Sequence, residues 1–389
     1  MRVKRALIVA LAGLLVAGLA ACGPTTTTNT TSNNTSSSSK GKSLKIAIVT
    51  SPSGVDDGSF NQNNYEGIQA FIKSHPGSTV KAIQQTDQSK SVQAVQDIVA
   101  DYDVIVTPGY QFAGISKIAQ ENPTKKFILV DSYPADPTDP TGVKTIQVGN
   151  IYAMLFAEQE SGFYAGVSAA METTTGKVAV MNGQAFPSNV HYQRGFEAGV
   201  QYANKHEGTN ATCVELPSYA GKDVTGKNIG GNYVGSFNDP ATGKVVAEAL
   251  IAQGVDIIFP AAGASGNGAF TAAKESNGKV KVIGCDVNQW NDGKNGASNV
   301  VLTSVLKVMD VQVERQLENI ANNTFKGENV TLHAKDEGTG FVSTTGQQQL
   351  SAKTLTALKQ VEEGIKNGTI VPPTGDAGDT STPTSFPGL

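Results

Sequence analysis

The sequence predicts an α/β chain of two lobes, each a doubly wound, mostly parallel sheet, with a ligand held between them. Three observations carry this expectation. Short apolar runs rich in β-branched residues alternate with longer stretches of helical period, the pattern of strands buried on both faces. About ten such runs occur, more than one ordinary sheet holds. Polar residues and glycines gather where the runs stop, and open α/β sheets bind ligands beyond the carboxyl ends of their strands.

In order along the chain, strands are expected at 44–50, 79–84, 103–107, 127–131 and 145–149, with helices at 61–73, 91–101 and 110–121. Together they make the first lobe, 44–150. The second lobe, 151–284, takes helices at 157–171, 189–205, 244–253 and 267–276. Its strands are expected at 177–182, 213–217, 255–260 and 281–285. A strand at 300–305 and a helix at 308–323 follow. Residues from about 285 to 325 are expected to return to the first lobe, and those from about 326 to 371 to the second.

The ends read differently. A cationic start, Met1 to Arg5, precedes an uncharged apolar run at 6–20, too short for the roughly 20 residues of a membrane-spanning helix. That is the form of a signal peptide, 1–21. The run closes Leu19-Ala-Ala-Cys22, which resembles the bacterial lipobox. Cys22 is therefore the expected lipidation site, anchoring the protein to the outer face of the cell membrane. A secretory signal with an incidental cysteine is the alternative. Residues 22–43 are almost wholly Thr, Ser, Asn and Gly, too poor in apolar surface to fold, and read as a tether. The Pro/Thr/Ser/Gly-rich tail, 372–389, is expected to be disordered.

Composition excludes several roles. The net charge is −4, with no basic stripe to hold nucleic acid. Cys213 and Cys285 lie far apart without metal-ligand spacing and are expected as two buried thiols, a disulfide being the alternative. The four histidines are scattered, so neither metal nor cofactor is expected.

The chemistry sits at the strand ends. After the first strand, Asp56 and Asp57 precede a helix whose free N–H groups they can cap. Phe60 can stack on a planar ligand or staple the helix. Asn61 offers a donor and an acceptor to a heterocycle edge. Asp131 and Asp286 each close a strand, where an acid can accept two hydroxyl hydrogen bonds or simply form a turn. Gly263 permits close backbone approach. Its spacing to Gly266 and Gly268 is no dinucleotide fingerprint. Lys307, at the end of another strand, can bind ligand or face solvent.

Seven segments together resemble the basic membrane protein family of ABC-transporter lipoproteins, the purine nucleoside receptor type. They are Gly54-Val-Asp-Asp-Gly-Ser-Phe-Asn-Gln62, Glu158-Gln-Glu-Ser-Gly162, Gly195-Phe-Glu-Ala-Gly199, Gly235-Ser-Phe-Asn-Asp-Pro240, Pro260-Ala-Ala-Gly263, Gly284-Cys-Asp-Val-Asn-Gln289 and Leu302-Thr-Ser-Val-Leu-Lys307. The resemblance implies a type I periplasmic-binding fold with a nucleoside between the lobes. It implies base stacking by Phe60, a base contact by Asn61, ribose contacts by Asp131, Asp286 and Lys307, and backbone approach at Gly263. Phe186 is the choice for a second stacking ring, with Phe237 behind it. One position departs: the family's acid after the first strand is here Ser51, a hydroxyl that can donate as well as accept. This bears on purine selectivity.

The expected function is therefore a monomeric solute-binding protein that hands a nucleoside to an ABC permease, not an enzyme. A sensory lipoprotein, or a receptor for a sugar or other small molecule, is the alternative. A calcium-dependent nucleoside hydrolase is the minor one. Its two leading acids would fall on Thr50 and Pro52, and Pro52 has no side-chain oxygen to offer a hard cation.

Overall fold

The computed structural model describes residues 41–139 and 144–376. The expected signal peptide, Cys22, most of the tether and residues 377–389 lie outside them. Among the described residues no helix is long and apolar enough to cross a membrane.

The chain first lays down β1 (Lys45–Thr50), α1 (Phe60–Ser74), β2 (Thr79–Gln84), α2 (Ser91–Ile98), β3 (Val104–Pro108), α3 (Ser116–Glu121), β4 (Lys126–Val130) and β5 (Ile151–Phe156). It continues with α4 (Glu158–Glu172), β6 (Lys177–Asn182), α5 (Pro187–His206) and β7 (Thr212–Cys213). A small hairpin, β8 (Gly221–Lys222) and β9 (Asn228–Gly230), precedes α6 (Pro240–Ala252), β10 (Ile257–Ala261), α7 (Asn267–Glu275) and β11 (Lys281–Gly284). After a second ladder, β12 (Lys294–Asn295) and β13 (Ser298–Asn299), come β14 (Val301–Lys307), α8 (Met309–Ala321), β15 (Glu328–Leu332), β16 (Thr339–Phe341) and α9 (Ala352–Asn367).

These strands form two six-stranded sheets, in the orders β15-β5-β4-β3-β1-β2 and β16-β14-β11-β10-β6-β7. All neighbours pair in parallel except β14 with β16. The alternation of side chains along each strand explains why the runs are apolar throughout. In the first sheet Ile46, Ile48, Val104 and Val106 face α1 and α8, while Ala47, Val49, Ile105 and Leu129 face α2 and α3. In the second, Val178, Val180 and Phe259 face α4, α5 and α9, while Ala179, Met181 and Ile258 face α6 and α7.

Three expectations change. The last strand expected in the first lobe, 145–149, forms only a single bridge, Ala135 with Thr145. The strand is instead β5, six residues later. Its sequence, Ile-Tyr-Ala-Met-Leu-Phe, carries one β-branched residue, so burial on both faces rather than propensity makes it a strand. The expected strand at 213–217 shrinks to β7, because Pro217 opens a 3-10 turn. The lobe boundaries also move. The first lobe runs through β5 and is completed by α8 and β15, whereas β14 belongs to the second lobe, with β16 and α9.

The chain thus crosses between lobes three times, at Ala157, at Val308 and at 333–338. The first two crossings share one backbone conformation, φ −82°, ψ 70° and φ −84°, ψ 69°. Ala157 N–H donates to Leu332 O, and Val308 N–H to Gly338 O, so the crossings are bonded to one another. The start of α4 ties them further. Ser161 Oγ donates to Leu306 O at 2.8 Å, and Glu160 accepts from Ala334 N–H at 2.7 Å and from Thr339 Oγ1 at 2.6 Å.

The tail also differs from expectation at its first residues. Pro372 and Pro373 are buried, and Asp376 reaches His191 on α5, as described below.

Candidate functional site

A cavity lies between the lobes, open to solvent and lined by side chains of both, and small-molecule sites commonly sit between domains. All nine residues read as ligand-binding from the sequence line it: Ser51, Asp57, Phe60, Asn61, Asp131, Phe186, Gly263, Asp286 and Lys307. They come from the carboxyl ends of β1, β4, β6, β10, β11 and β14, as strand-end chemistry predicts.

The first-lobe wall is organised by Asp57. Its carboxylate accepts from the backbone N–H groups of Ser59, Asn61 and Gln62 at 3.0–3.1 Å, capping α1. It also accepts from Asn61 Nδ2 at 2.9 Å. Burial pushes the Asp57 carboxyl up, against the N–H donors that hold it down. Because a carboxylate only accepts, this contact sets which end of the Asn61 amide faces it. Asn61 Nδ2 also donates to Ser51 Oγ at 2.9 Å. The amide carbonyl, Asn61 Oδ1, has no partner among the described residues. Ser51, having accepted one hydrogen bond, keeps its own hydroxyl proton to give. The wall therefore presents an acceptor beside a donor. Asp57 is a cavity residue whose oxygens are spent on holding this pair.

The acids at the ends of β4 and β11 both sit in left-handed backbone, Asp131 at φ 60° and Asp286 at φ 68°. Such conformations are uncommon for residues other than glycine and gather at functional sites. Asp131 Oδ2 lies 2.6 Å from Lys307 Nζ, which belongs to the other lobe. Asp131 Oδ1 has no partner among the described residues. Asp286 instead accepts from Tyr192 Oη at 2.7 Å and, across the cleft, from Ser59 Oγ at 3.1 Å. Ser53 Oγ donates to Phe237 O, and Asn238 Nδ2 to Pro52 O. With these contacts the lobes meet across the cleft.

Lys307 is buried, 2 % exposed. Three aromatic rings surround its ammonium, Phe60 at 5.2 Å, Tyr192 at 5.4 Å and Phe156 at 5.8 Å, close enough for cation–π attraction. Glu158, at the first turn of α4, makes a second ion contact with Nζ at 3.1 Å. Behind it His191 Nδ1 lies 3.3 Å from Glu158 Oε2, and His191 Nε2 3.0 Å from Asp376 Oδ1. Burial raises Asp131 to about 7, Glu158's charge adding to the effect and Lys307 opposing it. Burial also acts to raise Glu158, but Lys307 and His191 together hold it well below the carboxylate range. For Lys307 burial favours the neutral amine, and the two carboxylates outweigh it and push the pKa up. Burial likewise favours neutral His191, and its two acids outweigh that and raise it to about 9.

Aromatic rings close one side. Phe186 lies 5.2 Å from Tyr110 of the other lobe and 5.8 Å from Phe237, and all three line the cavity. Gly263, at φ 54°, sits in left-handed backbone that glycine adopts without steric cost. Sequence reasoning missed Tyr110, Tyr192, Asn189 and Glu158 as part of the site. Tyr192 and Asn189 sit inside a helical pattern, where nothing local distinguishes a cavity face from a core face. The Glu158 segment was legible as a motif, but its acid faces Lys307 only because two crossings meet there.

The motif Gly195-Phe-Glu-Ala-Gly199 serves the site indirectly. A Cβ at Gly195 would meet Gln159 O at 2.1 Å, and one at Gly199 would meet Phe163 O at 2.3 Å. The backbones of α4 and α5 touch there, which brings Glu158 beside His191 and Tyr192.

Cys213 and Cys285 are both free, but only Cys285 is buried as expected, Cys213 at the edge strand β7 being half-buried; burial pushes the Cys285 thiol up. No group of three or more His, Cys, Asp or Glu able to hold a metal occurs among the described residues.

The family profile described as Bmp, ABC transporter substrate-binding protein PnrA-like, matches residues 44–215 and 220–375. The chain is 29% identical over 390 residues to the CD4+ T-cell-stimulating antigen of Listeria monocytogenes, covering 95% of this chain and 99% of that protein. It is 29% identical over 356 residues to the ABC transporter nucleoside-binding protein BmpA of Lactococcus lactis, covering 85% and 89%. Among solved structures, a solute-binding protein of an ABC transporter system from Aeropyrum pernix shares the fold, with TM-score 0.69, 24% identity and coverage of 86% and 95%.

Proposed function

The chain belongs to the Bmp family of PnrA-like ABC transporter substrate-binding proteins, and from that premise we propose that its interlobe cavity captures a nucleoside. The family consists of binding proteins rather than enzymes. The observation that carries the reading is one cavity holding three kinds of group at once. Phe60, Phe186 and Phe237 offer faces to a planar base. The unpartnered Asn61 carbonyl and the Ser51 hydroxyl offer an acceptor and a donor to its edge. The unpartnered oxygen of Asp131, beside Lys307, offers an acceptor to sugar hydroxyls. The relative from Lactococcus lactis is named as nucleoside-binding, in keeping with this.

The charge balance favours a nucleoside over a nucleotide. Asp57, Asp131 and Asp286 line the cavity with Lys307 as the one lining cation among the described residues, and a phosphate would meet net negative charge. A purine is the favoured base, and because Ser51 can donate or accept, both amino and oxo purines are expected to bind. We further propose that a lipid on Cys22 holds the protein, as a monomer, at the outer face of the membrane, and that closure of the lobes on the cargo is what an ABC permease recognises.

Isothermal titration against adenosine, inosine, guanosine, uridine and adenosine monophosphate tests the reading. Binding of at least one nucleoside and none of the nucleotide is expected. Absence of any nucleoside binding at submillimolar ligand would sink it.

A further inference from the structure

Glu158 does not line the cavity, yet its carboxylate is 1 % exposed and set against the ammonium at the cavity's floor. Two carboxylates thus share one buried lysine. They are not equivalent. Glu158 has a second basic partner in His191, which is itself held by Asp376. Asp131 takes the ammonium's hydrogen bond at 2.6 Å through one oxygen, its other oxygen having no partner among the described residues, whereas Glu158 Oε1 meets the ammonium at 3.1 Å as an ion contact without a hydrogen bond. The rings of Phe60, Phe156 and Tyr192 leave the ammonium no solvent to fall back on.

We infer that Glu158 is a positioning residue for the binding site: it is the standing counter-ion of Lys307, and by fixing the ammonium it leaves Asp131 an oxygen free for cargo. This rests on the reading that the interlobe cavity is where ligand binds. The location favours such a role. Glu158 follows the first crossing and Lys307 precedes the second, at Ala157 and Val308, so the pair bridges two of the three connections between the lobes. The contact between α4 and α5 backs Glu158 with His191, while the next residue, Tyr192, holds Asp286. One short helical stretch therefore supports both Glu158 and Asp286. Breaking the Glu158 contact turns Lys307 wholly toward Asp131, and the cargo then competes with the lysine for that carboxylate.

The charged and titratable groups facing Asp131 are Lys307 from β14, Glu158 from α4 and Asp286 after β11. Tyr192, His191 and Asp57 stand behind them. Replacing Glu158 with a neutral residue removes a negative charge near Asp131 and leaves the lysine, so Asp131 must titrate at lower pH.

The test uses the full chain with Glu158→Gln and Glu158→Asp. Adenosine binding is titrated from pH 5 to 9, and Asp131 is followed by carboxyl-carbon NMR in ligand-free protein. Glu158→Gln is expected to weaken adenosine by about tenfold or more at neutral pH and to move the Asp131 midpoint downward. Glu158→Asp, which keeps the charge, is expected to lie between the variant and the wild type in both. A purely structural acid would lower the melting temperature and leave the Asp131 midpoint in place. A folded Glu158→Gln with wild-type affinity and an unmoved midpoint overturns the inference. If Glu158→Gln does not fold, wild-type values for Glu158→Asp overturn it instead. If the wild type binds no nucleoside, the proposed function fails, and the ligand-free titration still judges Glu158.

Discussion

Asp131 and Asp286 occupy the same place in their respective lobes. Each follows the third strand in its sheet order, β4 in one and β11 in the other. Each takes a left-handed backbone, and each bonds to the opposite lobe. What they bond to differs. Asp131 meets a lysine and keeps one oxygen free, while Asp286 meets two hydroxyls, one on each oxygen. The strand-end corner is thus a property of the fold, and the charge at that corner is a property of what the other lobe brings to it. An acid buried beside a cation sets desolvation against the charge pair and titrates abnormally; for Asp131 burial wins. Asp286 is fixed in direction by neutral hydroxyl donors.

The comparison can be broken most directly at Lys307. Lys307→Met leaves Asp131 and Glu158 buried without their shared cation. Loss of one partner from a buried pair costs about 3–5 kcal/mol, so urea unfolding should show a loss of that order. A loss under about 1 kcal/mol would mean that the Asp131 corner is not held by charge. Next comes Phe60, whose ring joins the cation to the proposed base site. Phe60→Ala is expected to weaken nucleoside binding by about 1–3 kcal/mol in calorimetry, as for single bases stacked on aromatics. Parallel Phe186→Ala and Phe237→Ala variants show which ring of the other lobe stacks opposite. Asp286→Asn should cost about 1–2 kcal/mol of stability, less than Lys307→Met, because an amide oxygen still accepts from Tyr192 or Ser59. A cost equal to that of Lys307→Met would erase the distinction between the corners.

The two corners should differ, too, in a pH dependence that enters on the Asp131 side through His191. His191 is raised in the folded protein to about 9, from about 6.5 when unfolded. Its contribution to stability is therefore full below about pH 6.5 and is lost as pH rises through about 9. The difference in melting temperature between wild type and His191→Gln should shrink over that window. A difference that stays constant from pH 6 to pH 9.5 would show that His191 holds Glu158 without its charge.

Much of the fold was legible because parallel strands buried on both faces must be apolar throughout. Val104–Pro108 and Lys177–Asn182 declare themselves that way. β5 did not, since Tyr152, Met154 and Leu155 read equally well as helix, and only pairing with β4 and β15 settles them. The site was legible where function sits at a strand end. Phe60, Asp131, Asp286 and Lys307 each follow or close a run, and the periodicity breaks there. Tyr192 is invisible by the same logic, because it lies within the regular helical pattern of α5. Glu158 is conspicuous as one of two acids opening a buried helix, yet its partner is 149 residues away in the chain, Lys307.

The sequence by itself determined the alternation of strand and helix, the strand ends at which polar residues collect, and the glycines that let α4 and α5 touch. These are local properties, set by side-chain period and backbone sterics. Only the tertiary structure decided that β14 stays with the second lobe while α8 and β15 return to the first, and hence that Lys307 faces Asp131. That choice depends on which sheet edge each returning segment covers. It is settled by burial summed over the whole molecule, which no single stretch of residues records.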